Sequence, residues 1–524
     1  MRRAAGLGFR ASALLLLAAG AWACDDGTTG TGGGGGKAPF PDPDPLPALT
    51  KAPLTTDVRL QPTMPQAAGG KDPRVPADLE NLLSTGYGDE MTIAGEPLVS
   101  RTLDQSAAPA KGPNAKLLTR FVHLSDAQLA DDESPARVCS LDSPQGATSG
   151  AFRPQEGHEC NILNATVRTI NKIHEAMPVT FVVLGGDNAD NAQTNEVDWY
   201  SDILDGSKRV ECDSGADDDP TPGPMNDNKD PFFAEGLKMP WFWVTGNHDV
   251  LNQGNFEVTT MSDQYLGINN GAGTRDWSQP GGPIFSGDVV VADPARQPLV
   301  GKALLERVRT HKDGHGIDQA AVDYGRAFYT FDVPNSSIRF VVVDTASPTG
   351  SADGLILKGD VDQKVKPFLD QSVADGKLVI VTSHHSSSQL TDGGGFGGKA
   401  HADAITTDAW RSVLGGYPNI LMHLAGHTHH HHVVPIQPMN GRAYWEMETA
   451  ALADYPHQMR LIEIWDLDNG FYGIQSIAFD YSVEGDPIAA EGRKRGVADF
   501  TSGWQKDGSG AANERNIVLL VPKT

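Results

Sequence analysis

Five apolar, β-branched runs, each followed at once by a short polar sequence, constrain the fold of this 524-residue chain most strongly. Such runs are typical of parallel strands buried on both faces of a sheet. Ligands of open α/β sheets bind beyond the carboxyl ends of these strands, so the polar sequences should meet at one edge. The runs and the sequences that follow them are 121–124 with Ser125-Asp126-Ala127-Gln128, 179–184 with Gly186-Asp187-Asn188-Ala189-Asp190, 241–245 with Gly246-Asn247-His248-Asp249, 378–382 with Ser383-His384-His385, and 420–425 with Gly426-His427-Thr428-His429.

These polar sequences supply carboxylate, amide and imidazole side chains, which are common ligands of divalent cations. Five strand ends that deliver them to one rim suit a pair of metal ions. Asp187 is placed to bridge such a pair, because each oxygen of a carboxylate has its own lone pairs. The alternative, that the histidines are ordinary surface residues, does not explain why they recur at strand ends.

Helical and antiparallel patterns surround the five runs. Helices are expected at 161–176, 361–374 and 403–414, and a hairpin at 327–333 and 338–344. Three further strands are expected at 442–447, 459–466 and 471–479, the last two joined around Asp468-Asn469-Gly470. Two halves, each of βα units with antiparallel strands, predict a two-sheet α/β/β/α sandwich with an N-terminal arm and large insertions.

The first residues have the pattern of an export signal. Arg2 and Arg3 precede the apolar stretch 11–19 and the small-residue sequence Ala21-Trp22-Ala23-Cys24. A Cys at this position resembles the lipobox of bacterial lipoproteins, in which Cys24 would carry the lipid, although Ala21 and Trp22 depart from that pattern. We therefore expect an exported, membrane-anchored protein of the cell envelope, with a periplasmic or secreted protein as the alternative.

Composition divides the rest of the chain. A signal peptide at 1–23 is followed by a flexible Gly- and Pro-rich tether at 24–53 and an irregular arm at 54–115. The insertion at 251–322 is a candidate lid or specificity region.

The formal net charge of −25 and the absence of clustered Lys and Arg argue against a nucleic-acid partner. The sequence does not indicate an oligomeric state.

The ordered motifs resemble those of the calcineurin-like metallophosphoesterase superfamily, whose signature runs DxH, GDxxD, GNHD or GNHE, H and GHxH. The resemblance covers a catalytic domain at about 116–436, so that 437–524 would complete the sandwich with β-strands. It implies one metal ion bound by Asp126 and His429, a second bound by Asn247, His384 and His427, and Asp187 between them.

The resemblance also implies an activity. Two divalent ions (Mn, Fe, Zn or Mg) would hold a bridging hydroxide that attacks the phosphorus of a small phosphorylated substrate. His248 would hydrogen-bond a phosphoryl oxygen or protonate the leaving group, and Asp190 or Asp249 would keep its imidazole charged. Asp249 could instead make only a structural contact. The alternatives are a nucleotidase or phosphodiesterase rather than a phosphomonoesterase, and a non-catalytic surface-anchored binding protein that retains the fold.

Gln128 is the one departure from the signature, since it stands where the family has a histidine ligand. Its neutral amide oxygen would favour Mn²⁺, Mg²⁺ or Ca²⁺ over zinc, or it would not bind metal at all. Either possibility leaves the fold unchanged.

The remaining cysteines and histidines are weaker signals. Cys139 and Cys160 flank one loop and could form a disulfide, with Cys212 left over or replacing either partner. His385 is expected to be a neighbour of the metal site. His423 is expected to be a core histidine with satisfied hydrogen bonds, and residues 430–432 are expected to be partly exposed strand residues.

Overall fold

The computed structural model of this protein describes residues 40–67, 70–137, 139–146, 148–258, 266–269 and 290–523. The predicted signal peptide, Cys24, most of the predicted tether and parts of the 251–322 insertion lie outside the described residues. No helix within the described ranges is both long and apolar enough to span a bilayer.

Most strands belong to two mixed sheets. In the described residues the strands are β1 (Val58–Pro62), β2 (Glu90–Ala94), β3 (Val99–Thr102), β4 (Lys116–Leu124), β5 (Phe181–Leu184), β6 (Ser207–Val210), β7 (Phe232–Ala234), β8 (Trp241–Phe242), β9 (Leu251–Asn252), β10 (Phe256–Glu257), β11 (Tyr329–Asp332), β12 (Ile338–Val342), β13 (Leu378–Thr382), β14 (Ile420–Ala425), β15 (His432–Ile436), β16 (Tyr444–Glu448), β17 (Gln458–Asp466), β18 (Phe471–Asp480) and β19 (Ile517–Pro522).

The helices lie between and after these strands. Those in the described residues are α1 (Pro76–Ser84), α2 (Glu159–Ala176), α3 (Thr194–Asp205), α4 (Gly301–Thr310), α5 (Gln319–Tyr324), α6 (Lys358–Asp360), α7 (Lys366–Ala374), α8 (Thr407–Gly415), α9 (Pro487–Thr501) and α10 (Ala512–Arg515). A π-helical turn, Val361–Val365, joins α6 to α7.

The strand order brings the carboxyl ends of the parallel strands together. The first sheet has the order β3-β19-β18-β17-β4-β5-β8, and the second has the order β11-β12-β13-β14-β16-β15. β4, β5 and β8 are parallel to one another, as are β12, β13, β14 and β16. The polar sequences after β4, β5, β8, β13 and β14 therefore lie at the sheet edges where those strands end.

The two sheets pack face to face between helices. Phe121 of β4 meets Phe340 of β12 edge to face, with ring centroids 5.2 Å apart. The next residue, Val341, points to the opposite side, where it packs with Leu369 of α7 and Trp410 of α8. On the other side of the molecule, α2 and α3 pack on the first sheet. The predicted α/β/β/α sandwich is confirmed.

Several predicted elements are found with small shifts at their ends. The strands at 378–382 and 420–425 have the predicted bounds. The two predicted hairpins are antiparallel pairs, β11 with β12 and β17 with β18. The apolar face of the predicted helix at 161–176 is buried.

The ends of the chain are more regular than predicted. The stretch 54–115 contains α1 and β1 to β3, and β3 pairs with β19 in the first sheet. The stretch 437–524 contains the fifteen-residue helix α9 as well as strands. Gly492 of α9 lies so close to the start of α2 that an added Cβ would come within 2.7 Å of Cβ of His158, the residue before α2. Glycine lowers helix propensity, so this helix depends on tertiary packing that periodicity does not reveal.

The disulfide joins Cys160 to Cys212. The Cys139–Cys160 pairing is therefore wrong, and the alternative in which Cys212 replaces one partner is correct. Cys139 is a buried thiol. The reason is tertiary: Cys160 lies in α2 and faces the segment after β6, which is distant in sequence.

Candidate metal centre

Several residues that directly follow the parallel strands have unusual backbone conformations. Five non-glycine residues there have φ angles between 42° and 71°, the left-handed region: Asp126, Gln128, Asp187, His427 and His429. Each such conformation costs on the order of 1–3 kcal/mol and persists where the surrounding structure fixes it, which is common at functional sites.

Two glycines make the close approach of these turns possible. A Cβ on Gly246 would lie 2.1 Å from Oδ1 of Asp187, and one on Gly426 would lie 2.5 Å from Oδ2 of Asp126. Real Cβ atoms do not come this close to other atoms, so the glycines of the third and fifth motifs allow the carboxylates to reach the centre of the site.

The predicted metal ligands converge. Nε2 of His384 lies 3.1 Å from Oδ2 of Asp187 and 3.9 Å from Oδ1 of Asp126. Nδ1 of His427 lies 3.2 Å from Nε2 of His384, and Nε2 of His429 lies 3.3 Å from Oδ1 of Asp126. Side chains from four motifs thus place ligand atoms within a few ångströms of one another.

Asn247 adds an amide oxygen to this group. Its Nδ2 donates to the carbonyl oxygen of Gly254 at 3.1 Å. Its Oδ1 is buried and accepts no hydrogen bond from the described residues. Leaving a buried carbonyl oxygen unpaired is costly, so this atom suits a cation as its partner.

Hydrogen bonds on the far side of the imidazoles select the ligand nitrogens. Nδ1 of His384 lies 2.7 Å from the carbonyl oxygen of Gly185. This places the proton on Nδ1 and turns the lone pair of Nε2 toward the carboxylates. Nδ1 of His429 lies 2.5 Å from Oδ2 of Asp454 and fixes that ring in the same way.

The electrostatics of the cluster also fit cations. Burial opposes ionisation of Asp187, but the positive charges of His384 and His248 outweigh it and hold the pKa of this carboxyl well below its usual range. Burial likewise opposes a charged His384, but Asp187 and Asp126 raise its pKa to about 9. Hydrogen bonding to Asp126 and Asp454 overcomes burial and raises the pKa of His429 to about 10. The carboxylates attract positive charge, which divalent ions would supply in place of protons.

His248 lies beside this cluster and is held by Asp190. Its Nδ1 is 2.9 Å from the carbonyl oxygen and 3.2 Å from Oδ1 of Asp190. Asp190 is ion-paired with Arg137. Burial opposes its ionisation, but Arg137 and His248 outweigh burial and lower the pKa of Asp190 to about 2. Asp190 is therefore the residue that orients His248.

Asp249 has the structural role that was the alternative to orienting His248. It accepts hydrogen bonds from the backbone of Asn188, Ala189 and Gly246 at 2.7–3.0 Å. Among the described residues, its hydrogen bonds do not include one to His248. Asp249 ties the second motif to the third, because its side chain points back into the turns rather than toward the imidazole.

Gln128 lies at the site, but its amide oxygen faces away from the ligand cluster. Oε1 accepts a hydrogen bond from Nη2 of Arg153, and Nε2 donates to Oδ2 of Asp187 at 3.4 Å. The Gln128 side chain therefore presents its amide nitrogen, rather than its oxygen, to the carboxylate of Asp187.

His385 and His423 have the predicted roles, whereas His431 differs from its prediction. Nδ1 and Nε2 of His385 are hydrogen-bonded to Thr345 and the carbonyl oxygen of Ala352, so this residue is a neighbour of the site. His423 is buried and hydrogen-bonded to Glu446 and Ser383. Within residues 430–432, His431 is fully buried, unlike the partly exposed residue predicted there.

A cavity of about 860 Å³ opens over the cluster. Its lining residues include Asp187, Asn247, His248, His427 and His429. Arg153 and Asp454 also line it, and sequence reasoning missed both. Neither follows a predicted strand or belongs to a recognisable motif, so no local signal marked them.

An α/β/β/α sandwich with carboxylate, amide and imidazole ligands at its strand ends has the architecture of a metal-dependent phosphoesterase. The chain belongs to the calcineurin-like phosphoesterase family, whose sequence profile matches residues 119–431, more than half of its length. It is a metallophosphoesterase, a class that generally uses two divalent metal ions. A comparison with curated proteins found no match.

Solved structures resemble this chain at low identity. A dimetal phosphatase from Danio rerio is 12% identical, with a TM-score of 0.37, over 70% of this chain and 100% of that one. GAP50, the anchor in the inner membrane complex of Plasmodium, is 13% identical, with a TM-score of 0.30, over 69% and 84%. The Thermus thermophilus sulfate thiohydrolase SoxB in complex with glycerol is 14% identical, with a TM-score of 0.29, over 74% and 60%.

Proposed function

We propose that this protein hydrolyses small phosphate esters with two divalent cations at the strand-end cluster. The convergence of the predicted ligands from separate motifs carries this proposal. Asp126 and His429 would hold one ion, and Asn247, His384 and His427 the other, with Asp187 shared between them. When bound, the two cations would activate water and neutralise charge on the phosphoryl group.

The residues around the cluster prepare it for this reaction. Gly185 and Asp454 fix the rings of His384 and His429, so that one nitrogen of each faces the cluster. The carboxylate of Asp187 is further held by the backbone N–H of His248, which donates to its Oδ1 at 2.8 Å. These contacts fix the ligand atoms before substrate binds, which reduces the reorganisation required in the transition state.

His248 would act on the substrate directly. Its Nδ1 is engaged by Asp190, which leaves Nε2 to donate a hydrogen bond to a phosphoryl oxygen or a proton to the leaving group. Burial lowers the pKa of His248, but the negative charges of Asp187 and Asp190 outweigh burial and raise it. The two carboxylates thus favour the charged imidazolium form of His248, which can donate from Nε2.

Removing the metals should abolish the activity. Dialysis of the protein against a chelator should eliminate hydrolysis of p-nitrophenyl phosphate and bis-p-nitrophenyl phosphate, and Mn²⁺ should restore it. The ratio of the two rates separates a monoesterase from a diesterase. Inactivity with Mn²⁺, Fe²⁺, Zn²⁺ and Mg²⁺ alike would favour the binding-protein alternative, and full activity after metal removal would contradict the proposal.

We also propose that the protein is exported and anchored in the cell envelope through a lipid on Cys24. Support comes from the sequence alone, since Cys24 lies outside the described residues. In a bacterial host, the wild type should partition into the detergent phase of Triton X-114, and Cys24→Ser should move it to the aqueous phase. Cys139→Ala is the control and should partition as the wild type does. A wild type found in the aqueous phase would contradict the anchor.

A further inference from the structure

Arg153 lies between the first metal-binding motif and α2 and reaches the centre of the site. Its side chain is only 2% exposed. A buried guanidinium requires partners that compensate for lost hydration, and the identity of those partners shows what it holds in place.

The first partner connects Arg153 to a predicted metal ligand. Nε of Arg153 lies 2.7 Å from Oδ1 of Asp454. The other carboxylate oxygen of Asp454 lies 2.5 Å from Nδ1 of His429. Asp454 therefore transmits the position of Arg153 to the ring of His429.

The second partner, Asp190, connects Arg153 to His248, the predicted proton donor. Nη1 of Arg153 lies 3.6 Å from Oδ1 of Asp190, an ion-pair distance. The same oxygen of Asp190 lies 3.2 Å from Nδ1 of His248. The guanidinium of Arg153 thus contacts both carboxylates that hold the rings of His429 and His248.

The third partner explains the departure from the family signature. Nη2 of Arg153 donates to Oε1 of Gln128, while the Gln128 amide nitrogen faces Oδ2 of Asp187. If the amide were flipped, its oxygen would face Oδ2 of Asp187 and its NH₂ group would face the guanidinium of Arg153. The two neighbours therefore fix the orientation of the amide. The edge facing Asp187 is an NH₂ group, which offers no lone pair to a cation.

We infer that Arg153 is a positioning residue that orients His429 through Asp454 and His248 through Asp190, and that Gln128 anchors Arg153 instead of binding a metal ion. The inference rests on the proposed function for the roles of His429 and His248. A histidine at position 128 lacks an amide oxygen for the guanidinium. Gln128 and Arg153 therefore form one unit.

Metal affinity tests this inference without a substrate. In competition with a chromogenic chelator, wild-type protein should bind two Mn²⁺ ions. Gln128→Ala should still bind two, each within about threefold of the wild-type affinity, whereas Asp126→Ala should lose one. Arg153→Met should lower the affinity for one of the two Mn²⁺ ions by about 10–100-fold, the range typical for partners that orient a metal ligand. It should also lower kcat with little change in KM.

A double substitution shows whether Gln128 acts through Arg153. Gln128→Ala combined with Arg153→Met should be no worse than Arg153→Met alone, because the anchor has no purpose without the side chain it holds. Arg296→Met is the matched control: Arg296 is also buried and ion-paired, with Asp131, but it does not line the cavity. It should leave Mn²⁺ affinity and kcat unchanged.

Two further variants keep the test decisive if Arg153→Met does not fold. Asp454→Asn keeps the shape of the side chain and should lower the affinity for one Mn²⁺ ion as Arg153→Met does. Arg153→Lys should restore part of the affinity that Arg153→Met loses. Loss of an ion in Gln128→Ala comparable to that in Asp126→Ala would overturn the inference. So would wild-type affinity for both ions in Arg153→Met and Asp454→Asn. An inactive wild type that shows the expected affinities would instead count against the proposed function alone.

Discussion

Asp187→Asn should reduce phosphate ester hydrolysis by at least about 10³-fold. Asp187 lies 3.1 Å from the ligand nitrogen of His384 and also faces Gln128 and the backbone of His248. The substitution keeps the size of the side chain and removes its charge. An amide offers a single oxygen, so it cannot provide two charged ligand atoms to two ions.

The measurement is kcat/KM for p-nitrophenyl phosphate with saturating Mn²⁺, together with metal content. Asp480→Asn is a matched control, because Asp480 is buried and hydrogen-bonded to Gln458 but does not line the cavity. It should retain wild-type activity. An Asp187→Asn protein with more than a tenth of wild-type kcat/KM would contradict the central position assigned to this carboxylate.

His248→Gln should lower kcat by about 10²–10⁴-fold, the usual contribution of a general acid or base. Metal content should remain unchanged, because none of the proposed metal contacts involves the imidazole of His248. Glutamine can still donate a hydrogen bond but cannot deliver a proton at neutral pH. The loss should therefore be larger for substrates with poor leaving groups, such as alkyl phosphates, than for p-nitrophenyl phosphate.

The control for this variant is His432→Gln, which alters a half-exposed histidine paired with Glu514 outside the cavity. It should be fully active. Equal losses with good and poor leaving groups would assign His248 to phosphoryl binding rather than proton donation. Unchanged kcat with both would contradict either role.

The sequence predicted the sandwich and the gathering of its ligands because both follow from local signals. Runs such as 378–382 and 420–425 are mostly apolar, since their strands are buried on both faces. Parallel strands then bring their carboxyl ends to a common edge. Asp187 and His427 could therefore be placed in one pocket from the order of their motifs.

The parts that could not be predicted depend on contacts between distant segments. Arg153 and Asp454 are 301 positions apart, and neither has neighbours that mark it as part of the site. The same holds for the Cys160–Cys212 disulfide, which spans 52 positions. The sequence also left open whether Asp190 or Asp249 orients His248, because the direction of the Asp249 side chain is set by the backbone N–H groups of neighbouring turns.

Anomalous diffraction from a crystal grown with Mn²⁺ tests the central claim most directly. Two manganese peaks should appear about 3.5–4 Å apart, with Asp187 between them, Asp126 and His429 on one side, and Asn247, His384 and His427 on the other. A structure with no manganese among these six side chains, or with the ions bound elsewhere, would contradict the account.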